Sequence, residues 1–131
     1  MSLNFHNAVN LAHFCIQRVV SPGDTVIDAT CGNGHDTLFL ARLVTSGKVL
    51  AFDKSLQAIS NTARRLEENR MSHRVRLIQE DFRNLALYVT TPIAAIMFNL
   101  GYLPGSSRKT ATSPEASSQA IQNAVSLLRT G

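Results

Sequence analysis

The sequence predicts an α/β fold, a parallel sheet of about four strands wound with helices, and three observations predict it. Short apolar runs at 25–29, 49–52, 75–77 and 93–98 alternate with stretches of helical periodicity, so the order reads α, then β-α-β-α-β-α-β-α. The second run, Val49-Leu50-Ala51-Phe52, is apolar at every position, as a strand covered on both faces is. The first run passes into a glycine turn, Thr30-Cys31-Gly32-Asn33-Gly34, and at once into a helix. That arrangement forms a nucleotide-type cofactor site at the carboxyl end of a strand.

Each element has its own signature. Leu3 to Val20 reads as a helix whose apolar face carries Ala8, Leu11, Ala12, Cys15, Ile16 and Val19. His6 and His13, seven apart with no partner cysteine or acid, read as surface or helix-packing residues rather than ligands. Ser21-Pro22-Gly23-Asp24 is turn chemistry, and Thr25–Ala29 is the first strand. Asp36–Ser46 reads as a helix with Leu38, Ala41 and Leu43/Val44 inward and Gly47 as its C′ residue. The helix from Ser55 to about Asn69 turns Leu56, Ile59, Ala63 and Leu66 inward and leaves its arginines and glutamates to solvent. Val75 and Leu77 alternate as a third strand, a short helical piece covers Asn84–Val89, and Ile93–Phe98 is the fourth strand. Residues 99–113 read as a loop, and Ser113-Pro114-Glu115 starts a last helix.

The 131 residues make one domain, or part of one. A hydrophobic content of 44% with 17% charged residues fits a globular chain with a core, and no apolar run reaches the ~20 residues of a membrane span. With no signal-peptide layout, the expected location is the cytoplasm. Cys15 and Cys31, in a helix and a turn, read as reduced thiols, and no metal site is expected. The net charge of +4 permits a polyanionic partner such as RNA without requiring one.

The residues around the turn discriminate between cofactors. A dinucleotide site follows G-x-G-x-x-G/A, but Thr37 stands at its third position. Asp28, four residues before Gly32, would repel a pyrophosphate and suits the ammonium and sulfonium of S-adenosylmethionine. Asp53, at the end of the second strand, suits a ribose diol, since a carboxylate accepts from both hydroxyls. Asp81, past the third strand, suits an adenine amino group, with Phe82 against the ring. Each acid taken singly has a plainer reading as a helix cap or turn residue.

These residues carry a specific resemblance. Asp-Ala-Thr-x-Gly-Asn-Gly-His-Asp-Thr at 28–37, Ala-Phe-Asp at 51–53 and Phe-Asn-Leu-Gly-Tyr-Leu-Pro-Gly at 98–105 resemble a family of class I S-adenosylmethionine-dependent methyltransferases. Long labelled putative rRNA methylase, that family is linked to methylating the 5-aminomethyl group of the wobble (2-thio)uridine in tRNA. The resemblance covers about Gly23 to Gly131. It implies a Rossmann-like fold and a cofactor pocket formed by the turn (Thr30, Gly32, Gly34) with Asn33, Asp36, Asp53 and Ser55. It also implies tRNA as the partner. A full class I sheet has seven strands, so the expected domain over 1–131 is the N-terminal part, incomplete at its C-terminus. The fourth strand is then an apolar edge of the kind that recruits a second copy, is covered by the 99–113 loop, or aggregates.

Asn99-Leu100-Gly101-Tyr102 is similar to the Asn-Pro-Pro-Tyr loop of amino-methylating enzymes. Carried over, Asn99 and the Leu100 carbonyl accept the amino hydrogens, and Tyr102 packs on the base. Read without the resemblance, Asn99 ties down the loop and Tyr102 is packing. Action on rRNA or a small amine, and an inactive cofactor-binding fragment, stay open as alternatives.

Overall fold

The computed structural model describes residues 8–98, with side chains from His13 onward, and Asn99, Tyr102 and the last predicted helix lie outside the described residues. The element order is α1 (Ala8–Val19), β1 (Thr25–Asp28), α2 (His35–Leu43), β2 (Lys48–Asp53), α3 (Leu56–Glu68), β3 (Val75–Gln79) and β4 (Ala95–Met97). A short 3-10 turn at Ser72–Arg74 leads into β3, and a 3-10 helix, Phe82–Tyr88, joins β3 to β4.

The strands form one parallel sheet in the order β3-β2-β1-β4. Val26 sits opposite both Val49 and Ala95, and Ala51 opposite Leu77, which fixes the register across all four strands. The chain steps outward from β1 to β3 and then crosses to the other side of β1. The resulting switch point between β1 and β4 is where open α/β sheets form clefts at their carboxyl ends. Among the described residues β4 has a strand neighbour, β1, on one side.

The all-apolar run within β2, residues 49–52, is explained by two separate cores. Val26, Val49, Ala95 and Met97 face Leu40, Ala41, Val44 and Leu66 from α2 and α3. Ile27, Phe52, Ile78 and Ile93 face Phe82 and Leu85 of the 3-10 helix on the opposite side. Alternate residues of that run thus enter different cores, and the exposed position of β2 is Lys48, ahead of the run.

Three local details differ from the sequence reading. On α1 it is Ile16, with Val20 just beyond the helix, that packs on the core, while Cys15 and Val19 are exposed. The buried stripe is rotated by one residue, because apolar side chains stand on both sides of it. Leu56 is 62% exposed, since it opens α3 beyond the sheet's edge. Gly47 is not a left-handed helix cap: the left-handed glycines are Gly32 and Gly34. A Cβ at Gly47 would lie 1.9 Å from the Asp24 carbonyl oxygen, so it is a glycine because the 21–24 turn crosses its backbone. The left-handed cap occurs instead at Arg70 (φ 58), where Met71 N–H donates to the Leu66 carbonyl and Arg70 N–H to that of Glu67. This bond pattern closes α3 as a Schellman motif with an arginine where glycine is usual.

Candidate functional site

A cleft of about 380 Å³ opens at the carboxyl ends of β1 and β2. One wall is the turn from Thr30 to Asn33 with His35 and Asp36 at the start of α2; the other is Ser55, Gln57, Ala58 and Asn61 from α3.

The turn is shaped by its two glycines, which do different work. Gly32 has φ +54, and a Cβ there would meet nothing within 4 Å. Its missing side chain leaves the backbone open to whatever enters the cleft. Gly34 has φ +88, and a Cβ would lie 3.0 Å from the Thr62 Cα. Its missing side chain lets the turn press against α3. Thr62 completes that contact by donating its hydroxyl to the Gly32 carbonyl at 3.0 Å.

Asp53, half-buried and not itself among the residues that line the cleft, ties the two walls together. One carboxylate oxygen accepts from the Gly32 N–H at 3.0 Å and the other from the Ser55 N–H at 2.9 Å. Each oxygen keeps a further lone pair for a ligand hydroxyl. Ser55 in turn caps α3, its hydroxyl accepting from the Ala58 N–H at 3.3 Å. Across the rim, Asn61 donates to the Asn33 side-chain oxygen at 3.1 Å and Arg65 to the Asn33 carbonyl at 2.8 Å. The turn is therefore held in shape by α3 through both backbone and side chains.

Asp28 is placed differently from the expectation. It is 1% exposed and does not line the cleft. Its carboxyl accepts from the Thr37 hydroxyl at 2.6 Å and from the Thr30 N–H at 3.2 Å. Burial pushes its pKa up to about 7; the Thr37 hydrogen bond works against this, and the nearby charges of Asp36 and Asp53 add to it. Thr37, at the third position of the glycine pattern, is the partner that makes this burial tolerable.

Asp81 caps the 3-10 helix by accepting from the Arg83 N–H, and its carboxylate pairs with the Arg83 guanidinium at 2.9 Å. Those bonds hold its pKa below the usual carboxylate range. Phe82 corrects the expectation of a ring stacked on a ligand. It is 7% exposed and meets Phe98 edge to face, with ring centroids 5.6 Å apart. The helix that Asp81 caps turns the next side chain into the core. Neither residue lines the cleft.

Cys31 lies in the cleft wall, and burial pushes its thiol up to about 12, the Thr62 hydrogen bond acting the other way and the charges of Asp28 and Asp53 adding to the rise. It is a neutral thiol, not a nucleophile. Among the described residues no cluster of His, Cys, Asp and Glu is arranged to hold a metal ion, and no helix is long and apolar enough to cross a membrane.

The reading from sequence missed Asn61, Thr62 and His13. Thr62 stands three residues after Ile59 and four before Leu66, on the inward stripe of α3. A polar residue on that stripe was the available signal.

The sequence and the fold match known proteins. The family model described as "Putative rRNA methylase" matches residues 49–131. The chain is 33% identical, over 95% of its length, to the chloroplastic tRNA (mnm5s2U34)-methyltransferase of Arabidopsis thaliana, and spans about half (49%) of that relative's length. An rRNA-methylase structure from Clostridium thermocellum superposes with a TM-score of 0.90 at 45% identity, covering 98% of this chain and 70% of that one. A methyltransferase from Streptococcus mutans, solved in complex with SAH, gives a TM-score of 0.85 at 38% identity with the same coverage. The fold is the Rossmann-like fold of these methyltransferases, and the chain belongs to the putative rRNA methylase family.

Proposed function

We propose that this chain binds S-adenosylmethionine in the cleft between the 30–36 turn and α3 and serves methyl transfer to RNA. The observation that carries the reading is Asp53, whose carboxylate is held by the Gly32 and Ser55 N–H groups at the junction of the two walls. A carboxylate fixed in this way is suited to a ribose diol. Two further features fit the same group. The open backbone at Gly32 admits close approach, and the carboxylates of Asp36 on the cleft wall and Asp53 between the walls favour a cationic ligand. Thr30, Asn33, Asp36 and Ser55 complete the lining of the proposed site, and Gly34 shapes the turn behind it. The S. mutans relative was solved with SAH, which supports it.

When bound, the cofactor supplies an electrophilic methyl group on a sulfonium. The chain's own part is to fix its position, keep water out and orient the acceptor. The finer reading takes the acceptor to be the 5-aminomethyl group of the tRNA wobble (2-thio)uridine. It is supported by the name of the Arabidopsis relative and by the Asn99-Leu100-Gly101-Tyr102 loop. In that reading Asn99 and the Leu100 carbonyl accept the amine hydrogens, directing its lone pair at the methyl, and Tyr102 packs on the base. The family description favours a second reading, methylation of rRNA.

Calorimetric titration and transfer of labelled methyl groups, both on the whole protein, test the proposal. Binding of S-adenosylmethionine without binding of NADH is expected, as is methylation of tRNA bearing 5-aminomethyluridine. Asn99→Ala should lower kcat by about 10²–10³ with cofactor affinity retained. Tight NADH binding overturns the cofactor, and labelling of rRNA alone overturns the tRNA reading.

A further inference from the structure

We infer that His13 is a positioning residue that fixes Asp36 on the cleft wall, making α1 part of the cofactor site rather than only a cover for the core. The inference rests on the cleft being an S-adenosylmethionine site. His13 Nε2 donates to Asp36 Oδ1 at 2.7 Å, and both side chains are sheltered, at 24% and 15% exposure. A charge-assisted bond so shielded from water holds its geometry better than a surface pair does.

A second contact fixes the ring itself. The imidazole lies flat on Phe39, with centroids 3.8 Å apart and planes within 2°. Phe39 follows Asp36 by three residues on α2, so both stand on the face that meets α1. The stack sets the plane of the imidazole and the hydrogen bond sets its direction within that plane. His13, Ile16 and Val20 recur at three- and four-residue spacing, and the last two pack into the core beside α2. The rotated stripe of α1 is thus the one that brings a histidine to Asp36, on the cleft wall.

The effect falls on Asp36. It stands in the first turn of α2 and lines the cleft, where a short side chain has several staggered orientations open to it. Holding Oδ1 selects one of them before any ligand arrives. It leaves Oδ2, which has no hydrogen-bond partner among the described residues, for a cationic ligand. An ordered carboxylate avoids the conformational entropy that a free one loses on binding.

The test separates a positioning role from a structural one. His13→Phe keeps a ring on Phe39 and removes the hydrogen bond; His13→Gln returns an N–H close to the place of Nε2. Titration of the whole protein with S-adenosylmethionine is expected to show affinity about tenfold weaker in His13→Phe, at a melting temperature close to that of the unsubstituted protein. Affinity within about threefold is expected in His13→Gln. In an Asp36→Ala background, His13→Phe is expected to add no further loss. Unchanged affinity in His13→Phe, no recovery in His13→Gln, or an equal loss in the Asp36→Ala background overturns the inference. Absence of binding to the unsubstituted protein overturns the reading of the cleft, and this inference with it.

Discussion

Two acids end neighbouring strands and are put to opposite use. Asp28 closes β1 and Asp53 closes β2, in strands paired side by side. Asp28 is sealed under α2, bonded to Thr37 and pushed up to about 7. Asp53 stays half-buried and binds two backbone N–H groups, one from each wall of the cleft. The difference lies in the segment that leaves each strand. After Asp28 the chain turns through two left-handed glycines, and α2 lays its third residue, Thr37, over the carboxyl. After Asp53 two residues pass before α3 begins, and its cap, Ser55, offers an N–H instead of a cover. A carboxylate at a strand end is thus buried or left partly exposed by the first turn of the next helix.

The largest expected effect breaks the comparison at Asp28. Its ordinary pKa is 3.8 and its folded value about 7. Between these values the folded chain keeps a proton that the unfolded chain releases. The stability linked to this group is therefore full below about pH 4, falls as pH rises towards 7, and is flat above it. The three-unit shift sets an upper bound of roughly 4 kcal/mol on that fall. In Asp28→Asn the amide donates to Thr37, whose hydroxyl turns from donor to acceptor, and the Thr30 bond is retained. Urea denaturation of both proteins at pH 5 and pH 8 should show Asp28→Asn losing less stability over that interval. Parallel losses would mean that the buried carboxyl does not titrate there.

A smaller effect concerns the turn between the two acids. Gly34→Ala meets both a left-handed backbone and the Thr62 Cα at 3.0 Å, whereas Gly32→Ala meets the backbone term alone. Destabilisation of about 2–4 kcal/mol is expected for Gly34→Ala and about 1 kcal/mol for Gly32→Ala. Thermal unfolding ranks them, and equal losses would remove the distinction between a packing glycine and an approach glycine.

The strands, their parallel order and the glycine turn were legible because alternation, all-apolar runs and left-handed turns each leave a direct trace in residue type. Asp53 and Ser55 were legible as a strand end and a helix cap, and Asn33 as part of the glycine turn. The rest was not, for reasons of tertiary contact. Nothing local distinguishes Asp28 from Asp53, since the burial of Asp28 is decided by Thr37, nine residues on. Phe82 was turned inward by a helix that its neighbour Asp81 caps. Gly47 owes its identity to a carbonyl 23 residues away. His13 reaches Asp36 across the same separation of 23 residues, which no spacing rule covers.

The smallest expected effect is one of rate. Cys15 is exposed, while Cys31 is buried beside both acids with its thiol pushed up to about 12. Iodoacetamide at pH 8 should label Cys15 and leave Cys31 largely unmodified in the native protein. Mass spectrometry reads the sites, and fast labelling of Cys31 would show that the wall between the acids opens.

The comparison is tested most directly by titrating the whole protein with S-adenosylmethionine as Asp53→Ala and as Asp28→Asn. Removing the Asp53 carboxylate should weaken binding by about 1–3 kcal/mol, roughly 5- to 150-fold, while Asp28→Asn keeps affinity within about threefold. Unchanged affinity in Asp53→Ala, or a loss in Asp28→Asn as large as that in Asp53→Ala, would contradict the account.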